Sequence, residues 1–192
     1  SKKGAISESE YVFIRNGFSQ QNKKHVKILE IGMGTGLNIL LTFLNSDKNS
    51  KIYYHALEPY PLDESLQKKL NYCQLLDVDE EILKKIHVSA WGEKIKLNEK
   101  FIFCKEKIKI ENFKSRECFD LIYFDAFAPS KQKNIWDFKI IKNCYDLLNK
   151  EGIIVTYSSS GDFKRNLKKI GFEISVLKGA LGKREMIRAK KI

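Results

Sequence analysis

Gly32, Gly34 and Gly36 alternate directly behind the short apolar run Val26 to Ile31. A run of that kind ending at glycine has the pattern of a buried strand. Glycine beyond a strand end lets the backbone turn tightly and approach a ligand with no Cβ in the way. Leu37, Leu40, Leu41 and Leu44 follow at i, i+3, i+4 and i+7, the spacing of a helix with one buried face. A dinucleotide site would place G-x-G-x-x-G here, with pyrophosphate at the helix N-terminus. The third position of that pattern is Leu37, which disfavours a dinucleotide. Glu58 closes a second apolar run, Lys51 to Glu58, roughly 20 residues further on. A carboxylate at that strand end can accept hydrogen bonds from both ribose hydroxyls of a nucleoside. Together the turn and the acid suit an adenosyl ligand that lacks a diphosphate.

The elements that must hold these residues begin with strand, glycine turn, helix and strand, a βαβ unit with a right-handed crossover. A helix is expected after Pro61, with Asp63 and Glu64 near its N-terminus, and another over Asp77 to Ile86. Lys94 to Ile110 is strand-like but highly charged, and its register stays unassigned. Phe119 to Phe124 is a third buried strand, running into Asp125-Ala126-Phe127-Ala128-Pro129. Asn134 is expected to cap a helix that buries Ile141, Cys144, Tyr145 and Leu148 and stops at Gly152, before a fourth strand, Ile153 to Tyr157. Gly161 to Ile170 is a helix ended by Gly171. Phe172 to Leu177 and Glu185 to Ala189 leave no room for a helix between them and so should pair antiparallel. The expected architecture is a single α/β domain over 1–192, Rossmann-like, with a mixed seven-stranded sheet, an antiparallel C-terminal hairpin and an N-terminal arm over 1–25.

Composition narrows the function. Apolar residues are 43% and charged residues 31% of the 192, the balance of a soluble globular chain. The most apolar stretch, Ile28 to Leu44, contains Glu30, Asn38 and several glycines, so no membrane span is expected. The opening Ser-Lys-Lys-Gly carries no apolar signal core, and a cytoplasmic setting is expected. Cys73, Cys104, Cys118 and Cys144 show no C-x-x-C spacing, which reads as free thiols. His25, His55 and His87 form no H-E-x-x-H pair, and no metal is expected. Ser158-Ser159-Ser160-Gly161 is no G-x-S-x-G elbow, which argues against a serine hydrolase. The net charge of +11 suggests a polyanionic partner. Ten Lys/Arg stand against three acids over 161–192, concentrating that charge at the C-terminus.

Four segments carry a family likeness: Glu10-Tyr11-Val12-Phe13; Leu29 to Asn38; Phe124-Asp125-Ala126-Phe127-Ala128-Pro129-Ser130-Lys131 with Trp136; and Gly182-Lys183-Arg184-Glu185-Met186. On these the chain resembles the methyltransferase domain of the bifunctional tRNA 5-methylaminomethyl-2-thiouridine biosynthesis proteins. The last two segments are the specific ones, because general methyltransferases lack them. The resemblance implies a class I fold and transfer of a methyl group from S-adenosylmethionine to the aminomethyl group of a tRNA wobble uridine. It implies that Glu30, Gly32, Met33, Gly34, Gly36 and Asn38 surround the methionine end of the cofactor. Glu58 and Pro59 would lie at the ribose, and Asp125 and Ala126 at the reaction centre. Phe127, Pro129 and Lys131 would shape the entrance for the base. Two departures stand out: Asn134-Ile135-Trp136 replaces the family's proline-containing approach to the tryptophan, and Cys104-Lys105-Glu106 lacks its Gly-Asp. The family's oxidoreductase half is absent from these residues, so the aminomethyl substrate would come from a separate oxidoreductase acting upstream.

Asp125 is the expected catalytic group, orienting the amine and helping its proton leave. Phe127 and Trp136 are candidates for stacking on an unpaired base. Lys131, Lys183 and Arg184 are candidates for phosphate contacts, and Tyr11 and Asn16 for closing over the cofactor. Two other functions remain compatible with these residues: a methyl- or aminopropyl-transferase for a small amine, and a non-catalytic RNA-binding module of the same fold.

Overall fold

The structure, a computed structural model, describes residues 2–47, 49–180, 182 and 184–192. Its frame is one sheet of eight strands in the order β3-β4-β2-β1-β5-β6-β8-β7. The strands are β1 His25–Ile31, β2 Lys51–Leu57, β3 Lys94–Asn98, β4 Phe101–Glu106, β5 Phe119–Phe124, β6 Leu148–Thr156, β7 Phe172–Lys178 and β8 Glu185–Lys191. β1, β2, β4, β5 and β6 run parallel, β3 is antiparallel to β4, and β8 lies antiparallel between β6 and β7.

Both faces are covered, which is why the central strands are mostly apolar on both faces. All six residues of β5 are buried. Phe119, Ile122 and Phe124 pack towards α6 (Phe138–Leu147) and α7 (Gly161–Ile170). Leu121 and Tyr123 pack the other way, with Phe13, Ile39 of α2 (Leu37–Leu44) and Ile86 of α5 (Glu80–Val88). The chain lays β2 and β4 on one side of β1 and then β5 and β6 on the other. The carboxyl ends of β1 and β5 therefore flank the point where strand order reverses, the place where open α/β sheets bind ligands.

Eight strands replace the expected seven. The charged stretch 94–106 folds as an antiparallel pair, β3 with β4, around a turn in which Asn98 Oδ1 accepts from the backbone of Lys100 and Phe101. β3 is the outer edge and alternates exposed Lys94 and Lys96 with half-buried Ile95 and Leu97, charge that discourages pairing with another chain. The helix foreseen after Pro61 is two short ones, α3 Glu64–Gln67 and α4 Tyr72–Leu76; Asp77, in a left-handed conformation, stops the second. Asp79 caps α5 by accepting from the Glu81 backbone. Asn134 does not cap α6. It sits in a 3-10 turn, Lys133–Trp136, because Ile135 and Trp136 turn inward there, and Asp137 holds the position before α6. That helix stops at Leu147 rather than at Gly152, buries Ile140, Ile141, Cys144 and Leu147, and passes Leu148 to β6.

The N-terminal segment is α1 Lys2–Ser9 continuing into a π-helical turn, Glu10–Arg15. Val12, Phe13 and Ile14 are buried in it, and Phe13 lies 5.2 Å from the ring of Tyr123. Among the described residues no helix is long and apolar enough to cross a membrane.

Candidate active site

A cavity of about 870 Å³ opens at the carboxyl ends of β1, β2 and β5. Its floor is the turn behind β1. Gly32 has φ +91°, and a Cβ there would stand 2.6 Å from the Asp125 carbonyl oxygen, so only glycine lets the ends of β1 and β5 meet. Gly34 has φ +51°, and a Cβ there would meet nothing within 4 Å. Its bare backbone faces the cavity, a cradle that fits a ligand lying flat against the main chain. Gly36 lines no part of it: it sits before α2 and faces Leu83, Ile86 and His87 of α5. Met33 is buried and lines the cavity, and its N–H donates to Leu57 O.

Glu58 is buried at the end of β2, in the cavity wall beside Pro59. Its Oε2 accepts from the Gly34 N–H at 2.9 Å and its Oε1 from the Tyr60 N–H at 2.8 Å. Each oxygen keeps a further lone pair, so the carboxylate is fixed in orientation with acceptor capacity to spare. Its bond to Gly34 ties the tips of β1 and β2 into one rigid lip.

Below the turn a polar chain crosses the core. The Asn38 side-chain amide donates to Glu30 Oε1 and to Asp125 Oδ2, both at 2.9 Å. Glu30 is fully buried and lies behind the cavity wall rather than in it. Burial pushes its carboxyl well above the ordinary range, the Asn38 bond opposes that, and the Asp125 and Glu58 charges add to it. Burial thus favours the neutral form of Glu30, while Asp125 faces the cavity. Ala126 follows, its carbonyl accepting from the Tyr157 hydroxyl at 2.6 Å. Tyr157 lines the opposite wall, and burial, with the Asp125 and Glu8 charges, pushes its phenol up to about 12.

The outer wall differs from expectation. Tyr11 and Asn16 do not reach the cavity; Asn16 Nδ2 is bound to Tyr11 O at 2.8 Å, closing the π-helical turn. Ala5, Glu8 and Ser9 of α1, with Phe13, cover the cavity instead. No periodicity in the sequence marks α1, so nothing local announced Glu8. Tyr157 was within reach, because it ends the strand beside β5. Tyr60 and Ile108 to Glu111, after β2 and β4, complete the far end.

Phe127 is 69% exposed at the rim, where Lys131 also lines the opening. Pro129 is half-buried and lines no part of the cavity. Trp136 is a core residue: its ring packs 4.8 Å from Phe124 and 5.1 Å from Phe163, and its Nε1 donates to Phe127 O at 2.8 Å. It holds the Phe127 loop rather than offering a stacking face. Arg184 is exposed just ahead of β8, on the same edge of the sheet as the cavity, whereas Met186 is buried. Lys183 lies outside the described residues.

A sequence profile described as S-adenosyl-L-methionine-dependent methyltransferase matches residues 67–192. A tRNA 5-methylaminomethyl-2-thiouridine biosynthesis bifunctional protein MnmC from Campylobacter jejuni is 29% identical over 98% of this chain and 32% of its own length. Its namesake from Campylobacter hominis is 30% identical over 97% of this chain and 29% of its own length. The chain thus spans about a third of the length of these curated relatives. The solved structure of MNMC2 from Aquifex aeolicus superposes with a TM-score of 0.72 at 20% identity, covering 96% of this chain and 60% of the other. SAM-bound CalS10, an amino pentose methyltransferase from Micromonospora echinaspora, superposes at 0.56 with 10% identity, covering 100% of this chain and 90% of the other. A cavity floored by a bare glycine backbone, walled by a strand-end glutamate and matched by that profile has one family behind it: the chain belongs to the S-adenosyl-L-methionine-dependent methyltransferases.

Proposed function

We propose that this methyltransferase acts on the primary amine of an aminomethyl group at the wobble uridine of tRNA, with Asp125 as its catalytic residue. The observation that carries the reading is the Asp125 carboxylate, held by Asn38 in the same cavity lining as the Gly34 backbone. The names of the MnmC relatives, which match across nearly all of this chain, supply the substrate class.

S-adenosylmethionine, when bound, supplies an electrophilic methyl group. Glu58 would receive its ribose hydroxyls and the Gly32 to Gly34 backbone its methionine end, with Met33, Asn38, Pro59 and Ala126 against the remainder. A primary amine is largely protonated at neutral pH and must lose a proton before its lone pair can attack. Asp125 accepts a hydrogen bond from that nitrogen and takes up the proton, directly or through water. Holding amine and methyl in line accounts for much of the rate; alignment of this kind contributes about 7–11 kcal/mol in favourable systems. Phe127, 69% exposed at the mouth, offers a face on which an extruded base can stack. Lys131 and Arg184 offer positive charge to the flanking phosphates. The aminomethyl group itself would be produced beforehand by a separate oxidoreductase.

Purified protein with labelled cofactor is expected to methylate undermodified tRNA and leave free polyamines unlabelled; label on polyamines alone would sink the reading. Asp125→Ala should abolish turnover and leave calorimetric binding of the cofactor near the wild-type value. Wild-type turnover in that variant would remove Asp125 from the chemistry.

A further inference from the structure

Outside the cavity, three potential metal ligands meet on one face of the sheet. His55 of β2 and Cys104 of β4 are directly paired across parallel strands, and Glu106 stands two residues beyond Cys104 on the same face. One donor atom from each lies within 4.8 Å of the other two. A search along the sequence for ligand pairs cannot see such a group, because two strands far apart in the chain supply it.

The imidazole is the informative member. Its Nε2 is buried and stands 2.9 Å from Glu106 Oε1, an ion-pair contact whose angle falls short of a well-directed hydrogen bond. Two ligands of one tetrahedral zinc ion stand about 3.3 Å apart, so an outward shift of a few tenths of an ångström lets these two atoms share one. Nδ1 lies 3.3 Å from the Tyr53 hydroxyl, which can accept its proton and leave the Nε2 lone pair for a cation. Metal-bound histidines are commonly held in this way through the second ring nitrogen. Phe113 and Phe119 close the inner side at 5.0 and 6.3 Å from the ring. Glu106, its side chain 34% exposed, leaves the outer side open.

We propose that His55, Cys104 and Glu106 bind a divalent cation of the zinc type, which braces β2 to β4. The donor set of one nitrogen, one sulfur and one oxygen suits borderline-soft zinc rather than magnesium or calcium, which take oxygen alone. On binding, the Cys104 thiol gives one proton to solvent. The thiolate and the Glu106 carboxylate then cancel the charge of the ion, leaving a neutral centre that the apolar wall tolerates. Water takes the fourth position on the open side. Lys94, the neighbour of Cys104 on β3, opposes a cation here, but its Nζ is turned over the Tyr53 ring at 5.0 Å.

Cobalt(II), a spectroscopic stand-in for zinc, tests this on the intact, chelator-treated chain. Titration should saturate at one equivalent with a thiolate-to-cobalt charge-transfer band that zinc abolishes. Cys104→Ser should lose the band, whereas Cys118→Ser should keep it. Tyr53→Phe should weaken binding about 10–100-fold. A wild-type protein without the band overturns the site whatever the variants do, as does a band that survives Cys104→Ser or vanishes with Cys118→Ser.

Discussion

The Asn38 amide has two N–H bonds and spends one on each of two carboxyl groups of opposite character. Asp125 faces the cavity; Glu30 is sealed in the core and pushed well above the ordinary carboxylate range, first by burial. Asn38→Ala removes one donor from each, at a cost of about 1–3 kcal/mol. If Asp125 is the catalytic residue, kcat/KM should fall by roughly tenfold to a hundredfold. Cofactor binding should change less, because Glu58 and the turn are untouched. Glu30→Gln tests the other end, and its sign follows from the raised folded value. Below the unfolded pKa both states carry the proton and the glutamate costs nothing. Above it the unfolded chain ionises while the folded chain does not, so wild-type stability falls as pH rises towards the folded pKa. The glutamine variant escapes that loss. Its melting temperature relative to wild type should rise from pH 4 to pH 7, and a difference that stays flat with pH would mean Glu30 is ionised in the fold.

At the scale of elements, Gly32 and Gly34 separate two jobs that the sequence shows as one motif. Gly32→Ala drives a Cβ to 2.6 Å from the Asp125 carbonyl oxygen, so the tips of β1 and β5 must part, lowering both melting temperature and cofactor affinity. Gly34→Ala meets open space and costs only its left-handed backbone, about 1–2 kcal/mol. Its methyl group nevertheless projects into the cavity proposed for the cofactor. Calorimetric titration should therefore show a loss of affinity larger than the loss of thermal stability implies, and equal losses would place the ligand elsewhere. A second tie acts at the opposite end of the same strands. Asp120 of β5, despite a burial that raises its pKa, is held below the usual range by Lys23, the Lys27 N–H and Asn149. Its stabilisation is complete above the unfolded carboxylate pKa and is lost as pH falls through the depressed folded one. Asp120→Asn should lower the melting temperature at neutral pH and flatten its decline in acid.

Those strands could be read from the sequence because each is a mostly apolar run ending before a residue with a distinct job: Ile31 before Gly32, Leu57 before Glu58, Phe124 before Asp125. The C-terminal hairpin was readable for a simpler reason, that no helix fits between its strands. β3 was hidden because an edge strand alternates lysine with half-buried aliphatics and lacks the apolar excess of a central one. The start of α6 was misplaced because Asn134 has the right type for a cap, while the burial of Ile135 and Trp136 decides the local path. Within the site, residues at strand ends were found and those brought by the arm were not. Glu8 reaches the cavity only through the packing of Phe13 on Tyr123, a contact across more than half the chain.

For the whole molecule, the net charge of +11 says only that a polyanion is attracted; its placement decides what the polyanion meets. Lys131 stands at the cavity rim, and exposed Arg184 lies on the same edge of the sheet, ahead of β8. Part of the remaining C-terminal charge is spent internally: Lys164 pairs with Glu185, Lys190 with Glu151, and the Lys191 ammonium caps the carbonyls of Tyr145 and Leu148. A count over the sequence therefore overstates the charge open to a ligand. If tRNA is the substrate, log Kobs should fall linearly with log salt, with a slope on the order of one unit per phosphate neutralised in paired regions and less on single strands. Arg184→Ala should weaken binding of modified and unmodified tRNA alike and reduce that slope by about one, without changing kcat at saturating tRNA. Lys164→Ala, which removes an ammonium already paired with Glu185, should leave the slope near the wild-type value. Equal reductions from the two variants would mean that total charge, not the cavity edge, governs docking, and the orientation proposed for the substrate would fall with it.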